Sequence, residues 1–376
     1  MKTIRIGLIG TGYMGKAHAI ALHSAPAVFP LSANISCEML AEINPALAAK
    51  KAAELGFKRS TGDWLELVND ANVDVVDICS PNYLHKPMAL AAIAAGKHVY
   101  SEKPLALNGQ DALEMTLAAE RAGVKTLVGF NYAKNPASQL AKQIIANGEI
   151  GEVVHFRGTH NEDYLASPLI PMSWRLKRAY SGSGTLGDMG SHIINMAQFL
   201  VGDITQVNGD LQTVIQQRPI ADSPGQFATV ENEDQAHAML RFNNGAIGTI
   251  ETSRIAWGRK MGLTYEVTGT KGTIVFDQER LAELRLFIPD GNTAREGFKT
   301  ILLGPEHPDY KNFCISAGHG LGYNDQKIVE VRDLIEGIAN EQPLWPDFRA
   351  AYKVNLVIDA IEESNRLGQW ITIIEG

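Results

Sequence analysis

At 376 residues, with 45% hydrophobic and 20% charged side chains, the chain can bury substantial cores, which excludes a disordered polymer and favours two domains. A formal net charge of −8 leaves no basic footprint for nucleic acid or for an anionic membrane surface. Three scattered cysteines (Cys37, Cys79, Cys314) offer no disulfide framework and no CxxC pair, so a reducing compartment is expected. The apolar run within residues 1–10 is broken by Gly7 and Gly10, too short for a signal h-region. No stretch approaches the roughly 18 apolar residues of a membrane span. A soluble, cytoplasmic protein is the expectation.

Residues 1–131 alternate short β-branched runs with alanine-rich stretches. In chain order they predict a strand at 4–9, a helix at 14–24, an inserted loop at 25–34, a strand at 36–42, and helices at 45–55 and 64–69. A strand at 73–79, a helix at 86–95, a strand at 97–101, a helix at 110–122 and a strand at 125–130 follow. Strands that are apolar without alternation are buried on both faces, as in a parallel sheet. Their alternation with helices predicts right-handed βαβ units and a doubly wound α/β domain.

Residues 132–376 read differently. A helix at 137–147 and a strand at 152–158 come first; strands then dominate at 206–215, 235–242, 246–253, 263–269 and 272–276. Turn signals at Asn243-Asn244-Gly245 and Thr270-Lys271-Gly272 predict antiparallel hairpins. Helices at 326–339 and 350–366 close the chain. The second domain is therefore expected to be α+β, with a large, mainly antiparallel sheet.

The first motif that carries chemistry is Gly10-Thr11-Gly12-Tyr13-Met14-Gly15, placed between the first strand and the first helix. Its glycines permit a tight turn, a close approach of pyrophosphate to the backbone, and packing of helix on strand. The helix N-terminus adds unpaired N–H groups and partial positive charge for phosphates. Glu42, at the end of the second strand, is the candidate for the ribose hydroxyls. A carboxylate there repels a 2′-phosphate and no arginine follows it, so NAD is favoured over NADP.

Ser80-Pro81-Asn82 and Ser101-Glu102-Lys103-Pro104 follow two further strands, at the sheet edge where open α/β folds bind ligands. A lysine there can hold a substrate hydroxyl and stabilise developing alkoxide charge, or simply pair with Glu102 at the surface. In the second domain a glycine-rich loop, 181–187, runs into a segment with Asp188 and His192 four residues apart, on one face if the segment is helical. An imidazole can take an alcohol proton while a carboxylate orients it; the same spacing also fits a capping Asp and a core His. No HExxH and no Cys/His cluster supplies a third ligand, so no metal is expected. His18, His23, His155, His160 and His319 read as surface or packing residues.

Taken in order, GTGYMG (10–15), AEINP with Glu42, SPNYLH (80–85), AGKHVYSEKPLA (95–106), GSGTLGDMGSHIINMAQFLVG (182–202) and a closing DF…A…SNRLGQW pattern (347–370) resemble the Gfo/Idh/MocA family of oxidoreductases over nearly the whole chain. The resemblance implies an N-terminal Rossmann domain and a C-terminal domain whose open sheet packs against another subunit in a homodimer or homotetramer. It assigns Lys103, Asp188 and His192 as the catalytic group. It gives cofactor contacts to Gly10, Thr11, Gly12, Tyr13, Met14, Gly15, Glu42, Ser80, Pro81, Asn82, His85, Glu102 and Lys103. The implied activity is NAD-dependent oxidation of a secondary alcohol of a sugar, sugar derivative or inositol, or the reverse reduction. An enzyme that retains its NAD and uses transient oxidation to cleave a glycosidic or anhydro bond is the alternative, and a non-catalytic NAD-binding protein a third reading. Two departures stand out: glutamate at 42 where many members carry aspartate, and Tyr132-Ala133-Lys134 where an arginine often follows the last Rossmann strand. Tyr132, Asn161, Asp163, Trp174 and Arg175 are candidates for a polyol pocket, because aromatic faces suit a sugar ring and polar groups bond its hydroxyls.

Overall fold

A computed structural model describes residues 2–376. The chain resolves into two compact units, one comprising the chain up to Lys134 together with Gly322–Tyr352, the other Asn135–Leu321 with Lys353–Gly376. The first break falls near the expected boundary at 131/132, but the expected second domain is interrupted. Gly322–Tyr352 belongs with the first unit: its helix buries Ile328, Val331, Leu334 and Ile335, and its buried Lys327 and Glu330 find partners in Glu102 and Tyr100.

The first unit is built from β1 (Thr3–Ile9), α1 (Tyr13–Val28), β2 (Asn34–Ala41), α2 (Pro45–Leu55), β3 (Arg59–Thr61), α3 (Trp64–Asn69), β4 (Val75–Ile78), α4 (His85–Ala94), β5 (His98–Ser101), α5 (Gly109–Ala122) and β6 (Thr126–Val128). The strands form one sheet in the order β3-β2-β1-β4-β5-β6, every pair parallel. Strand order reverses between β1 and β4, so the turns leaving these two strands flank the switch point where such sheets bind ligands. Buried Ile4, Ile6, Leu8, Val75, Val76 and Val99 account for the unbroken apolar runs. Helix α2 starts where Asn44 accepts from the N–H groups of Ala46 and Leu47, with Pro45 in the first turn. Helix α1 runs to Val28, through Pro26, where a loop was expected. Its buried face (Ala17, Ala21, Leu22, Ala25) continues past the predicted end, so packing extends the helix. Strand β3, only three residues long, went unpredicted.

The second unit contains α6 (Pro136–Ala146), β7 (Val153–Asn161), α7 (Arg178–Ser181), a π-helical turn (Leu186–Gly190), α8 (Ser191–Leu200), β8 (Ile204–Gln212), β9 (Gln217–Pro219), β10 (Phe227–Thr229), β11 (Gln235–Phe242), β12 (Ile247–Ser253), β13 (Gly262–Gly269), β14 (Thr273–Asp277), β15 (Glu283–Phe287), β16 (Lys299–Leu302) and α9 (Tyr310–Phe313). Helix α10 (Tyr323–Ala339) lies in the first unit; α11 (Phe348–Leu367) and β17 (Ile371–Thr372) end the chain. Nine strands pair in the order β16-β15-β14-β13-β7-β12-β11-β8-β17. The sheet is antiparallel except where β7 runs parallel to β12. Along β11 the side chains alternate: Ala236, Ala238, Leu240 and Phe242 are buried, His237, Met239 and Arg241 exposed. One face thus packs and the other stays open. Strand β8 stops at Gln212, short of the predicted end, because the Val214 and Ile215 amides donate to Asp234 rather than to a neighbouring strand. Among the described residues, no helix is long and apolar enough to cross a membrane.

Candidate active site

The candidate nucleotide-binding residues lie in the first unit. Gly10 sits at φ +94°, and a Cβ built on it would meet the carbonyl oxygen of Cys79 at 2.7 Å. A Cβ on Gly15 would run into the carbonyl of Gly10, whereas one on Gly12 meets nothing within 4 Å. The first and third glycines are therefore fixed by the fold's own backbone, and the second borders open space beside the start of α1, as a phosphate cradle requires. Glu42 follows β2 and points at this turn: its Oε2 accepts from the Thr11 amide at 3.1 Å and the Thr11 hydroxyl at 2.6 Å. Its Oε1 takes the Ile43 amide at 3.0 Å, and acceptor capacity remains for ribose hydroxyls. Ile43 beside it is 90% exposed and offers an apolar face for a base. These groups fit a dinucleotide.

Loops 79–82 and 101–104 leave β4 and β5. His85 ties them together from behind, with Nδ1 2.8 Å from the Pro104 carbonyl and Nε2 3.0 Å from that of Ser80. Burial holds its ring below the usual histidine range. Lys103 is half-buried, and its amide donates to Glu102 Oε2 at 3.2 Å.

Asp188 and His192, the candidates for proton transfer, lie in the second unit. Asp188 sits in the π-helical turn and His192 in the first turn of α8, so the predicted i, i+4 pair on one α-helix instead spans a junction of two helical pitches. Glu233, just ahead of β11, holds this segment: its Oε1 accepts from the Gly184 amide at 2.7 Å and the Leu186 amide at 2.9 Å, and its carbonyl takes the Thr185 amide. Burial pushes the Glu233 carboxyl above its ordinary value, against the pull of those two amides. Tyr164 donates its hydroxyl to Asp188 Oδ2 at 2.7 Å. His192 is 5% exposed and lies beside His160, ring centroids 5.6 Å apart. The His160 ring is fixed in turn by the Met189 carbonyl at 3.0 Å and Glu162 at 3.2 Å. Replacing Glu233 with alanine strands two buried N–H groups and is expected to lower the unfolding free energy by roughly 2–4 kcal/mol. Urea denaturation reads this directly; a change below about 0.5 kcal/mol would show that the turn holds itself.

Known proteins share this architecture throughout. Residues 4–130 match an oxidoreductase family's NAD-binding Rossmann fold, and residues 138–275 match the GFO/IDH/MocA C-terminal domain. Levoglucosan dehydrogenase of Pseudarthrobacter phenanthrenivorans is 40% identical, with 99% of each chain covered. The chain belongs to the Gfo/Idh/MocA family. A solved structure of levoglucosan dehydrogenase in complex with NADH and levoglucosan has a TM-score of 0.96 at 40% identity, covering 99% of this chain and 100% of that one. An NAD-binding oxidoreductase from Klebsiella pneumoniae is 47% identical with a TM-score of 0.95, both chains covered in full. Myo-inositol 2-dehydrogenase of Thermotoga maritima is 30% identical over 74% of this chain and 76% of its own.

This Gfo/Idh/MocA protein is thus an NAD-binding oxidoreductase, and its residues can be placed one by one. Gly10, Thr11, Gly12, Tyr13, Met14 and Gly15 form the turn and first residues of α1, with Tyr13 73% exposed. Two of the expected cofactor contacts, His85 and Glu102, have side chains engaged within the protein. His85 is fully buried with both ring nitrogens on backbone carbonyls, and the Glu102 carboxylate is turned inward to His18 and Lys327. Tyr132 is buried in the first unit, 6.2 Å from the Tyr323 ring. In the second unit Asn161 donates to Glu251 at 2.8 Å and Asp163 pairs with Lys260 at 2.6 Å. The exposed Arg175 stacks over half-buried Trp174, 4.4 Å from its centroid. His18 is neither a surface nor an apolar packing residue: it is sealed between Asp77 at 2.8 Å and Glu102 at 3.0 Å. A ring with a carboxylate on each nitrogen satisfies both only when doubly protonated, and the Asp77 carboxylate holds its pKa well above the usual value despite burial. The Cys79 thiol, 3.3 Å from that ring, is pushed up to about 12 by burial and stays neutral. His18, Asp77 and Cys79 bring three donor atoms within 4.8 Å of one another, but a protonated imidazole at hydrogen-bond distance makes an ion pair rather than a ligand set. Glu233, Tyr164 and His160 were missed because no local spacing marks them.

Proposed function

We propose that the protein is an NAD-dependent dehydrogenase that oxidises a secondary alcohol of a cyclic sugar, sugar derivative or inositol, or runs the reverse reduction, with an anhydro-sugar of the levoglucosan type as the leading substrate. What carries this reading is the buried turn that presents Asp188 and His192, in a chain alike end to end to levoglucosan dehydrogenase. In this reading Lys103 donates to the reacting oxygen and stabilises negative charge on it as the hydroxyl proton departs. His192 takes that proton as general base and returns it in the reverse direction. Asp188, held by Tyr164, orients the substrate or the imidazole. Bound NAD supplies the hydride acceptor. Tyr132, Asn161, Asp163, Trp174 and Arg175 remain proposals for the sugar pocket.

Purified protein is expected to reduce NAD with at least one member of a panel comprising levoglucosan, L-sorbose, glucose and myo-inositol, read as reduced-nicotinamide absorbance. Turnover of an anhydro-sugar to a hydrolysed product without net NADH would favour the NAD-retaining alternative. No turnover of any panel member in either direction would sink the dehydrogenase reading. A cytoplasmic location and a homo-oligomer through the open sheet face belong to the same proposal, and sedimentation analysis tests the oligomer.

A further inference from the structure

We propose that Lys327, on α10, is a positioning residue for Lys103 and acts through Glu102. The proposal rests on the dehydrogenase reading, in which Lys103 touches the reacting oxygen. Glu102 is 4% exposed and Lys327 fully buried, and Lys327 Nζ donates to Glu102 Oε1 at 2.6 Å across 225 positions of sequence. The other oxygen of the same carboxylate accepts the Lys103 amide at 3.2 Å. One carboxylate therefore links the ammonium of α10 to the backbone of the Glu-Lys-Pro loop.

The buried charged and titratable groups bonded around this carboxylate fit that role. From α1, His18 Nε2 lies 3.0 Å from Glu102 Oε1 and hands its other nitrogen to Asp77 on β4. From α10, Glu330 shares the Lys327 ammonium at 2.9 Å and takes the Tyr100 hydroxyl of β5 at 2.7 Å. The Tyr100 ring lies under Lys327, 5.9 Å to its centroid, and stacks on His18 at 4.4 Å. Burial keeps the Tyr100 and Tyr323 hydroxyls and the Cys79 thiol neutral. The Lys327 and His18 charges hold Glu102 well below the ordinary carboxylate range despite its burial. The backbone leaves no slack: a Cβ on Gly129 would meet Glu102 Oε1 at 2.5 Å and Lys327 Nζ at 2.9 Å. A carboxylate so enclosed has one place to sit while both cations are present. Without Lys327 it loses its tightest partner, and the amide it anchors belongs to the residue whose side chain must meet the substrate.

The test is Lys327→Met in the full chain. Expected are a fall in kcat of at least about tenfold with KM for NAD within about threefold, as a misplacement near 1 Å would give. In substrate-free protein, hydrogen exchange at the Lys103 amide should accelerate about tenfold relative to amides of β1. In a Glu102→Gln background, Lys327→Met should lower kcat no further, because both changes break the same link. Should Lys327→Met fail to fold, Lys327→Met/Glu330→Gln, which removes one charge of each sign, carries the same readouts. Unchanged Lys103 exchange, with kcat within about twofold of the parent, would reduce Lys327 to a structural residue and overturn the proposal. A parent enzyme that oxidises no sugar defeats the dehydrogenase reading alone, since the exchange measurement needs no substrate.

Discussion

Alanine at Lys103 or at His192 is expected to lower kcat by on the order of 10²–10⁴, with the thermal shift produced by NAD retained in both variants. In the proposed mechanism the two side chains serve different parts of one event. An alcohol that loses its proton in water at neutral pH forms a costly alkoxide, so the reacting oxygen needs an ammonium to hold its charge and a base to accept the proton. His192 suits the second task because it is 5% exposed, sits at the first turn of α8, and is backed by a His160 ring locked on Met189 and Glu162. Lys103 suits the first because it is half-buried on a loop pinned by Glu102 and His85. Groups that act as a unit fail together, so the double variant should be little worse than the weaker single one. Asp188→Asn should cost less, since an amide oxygen still accepts from Tyr164. Steady-state kinetics at saturating NAD check all four; kcat within about threefold of the parent in both single variants would remove these residues from the chemistry.

The fold was legible where one segment carries its own explanation. Unalternating runs such as 4–9 and 73–79 gave away a sheet buried on both faces, and β11 showed its alternation residue by residue. The glycine turn was legible for the same reason: a strand, three glycines and a helix lie within a few residues of one another. Legibility fell where a partner from elsewhere overrides local preference. Pro26 reads as a helix breaker, yet the alanine face of α1 carries the helix past it. Residues 213–215 read as strand, yet Asp234 takes their amides.

The candidate site divides along the same line. Motifs mark Lys103, Asp188 and His192 as candidates, whereas nothing local marks Glu233, Lys327 or His18. A lysine in an amphipathic helix looks like any solvated lysine until Glu102, 225 residues away, arrives beside it. The turn at Leu186–Gly190 depends on a distant partner too, since the Gly184 and Leu186 amides at its start are claimed by Glu233 from a separate segment. Compact-unit membership follows suit: α10 joins the first unit with an apolar face and buried charges whose partners lie more than 200 residues away.

Gly15→Ala and Gly12→Ala are expected to fail in opposite ways. At Gly15 the added methyl meets the Gly10 carbonyl, and Gly10 cannot retreat, because at φ +94° it already lies against the carbonyl of Cys79. Relief requires prising the start of α1 off the sheet, so this variant should lose roughly 1–3 kcal/mol of stability and bind NAD at least about 100-fold more weakly. At Gly12 no atom of the chain lies within 4 Å of the added methyl, and the backbone there, φ −66°, suits any residue. The ligand-free protein should then lose less than about 1 kcal/mol, the difference between glycine and alanine at a helix N-cap. The space it fills is the one the pyrophosphate needs, so NAD should stabilise the variant little. The parent, at NAD about 100 times its Kd, should gain about 2.7 kcal/mol. Thermal melts of both variants with and without NAD separate the two failures. A Gly12→Ala protein that keeps the full gain would place the phosphates elsewhere, because the open face of this turn is what distinguishes a nucleotide cradle from a tight structural corner.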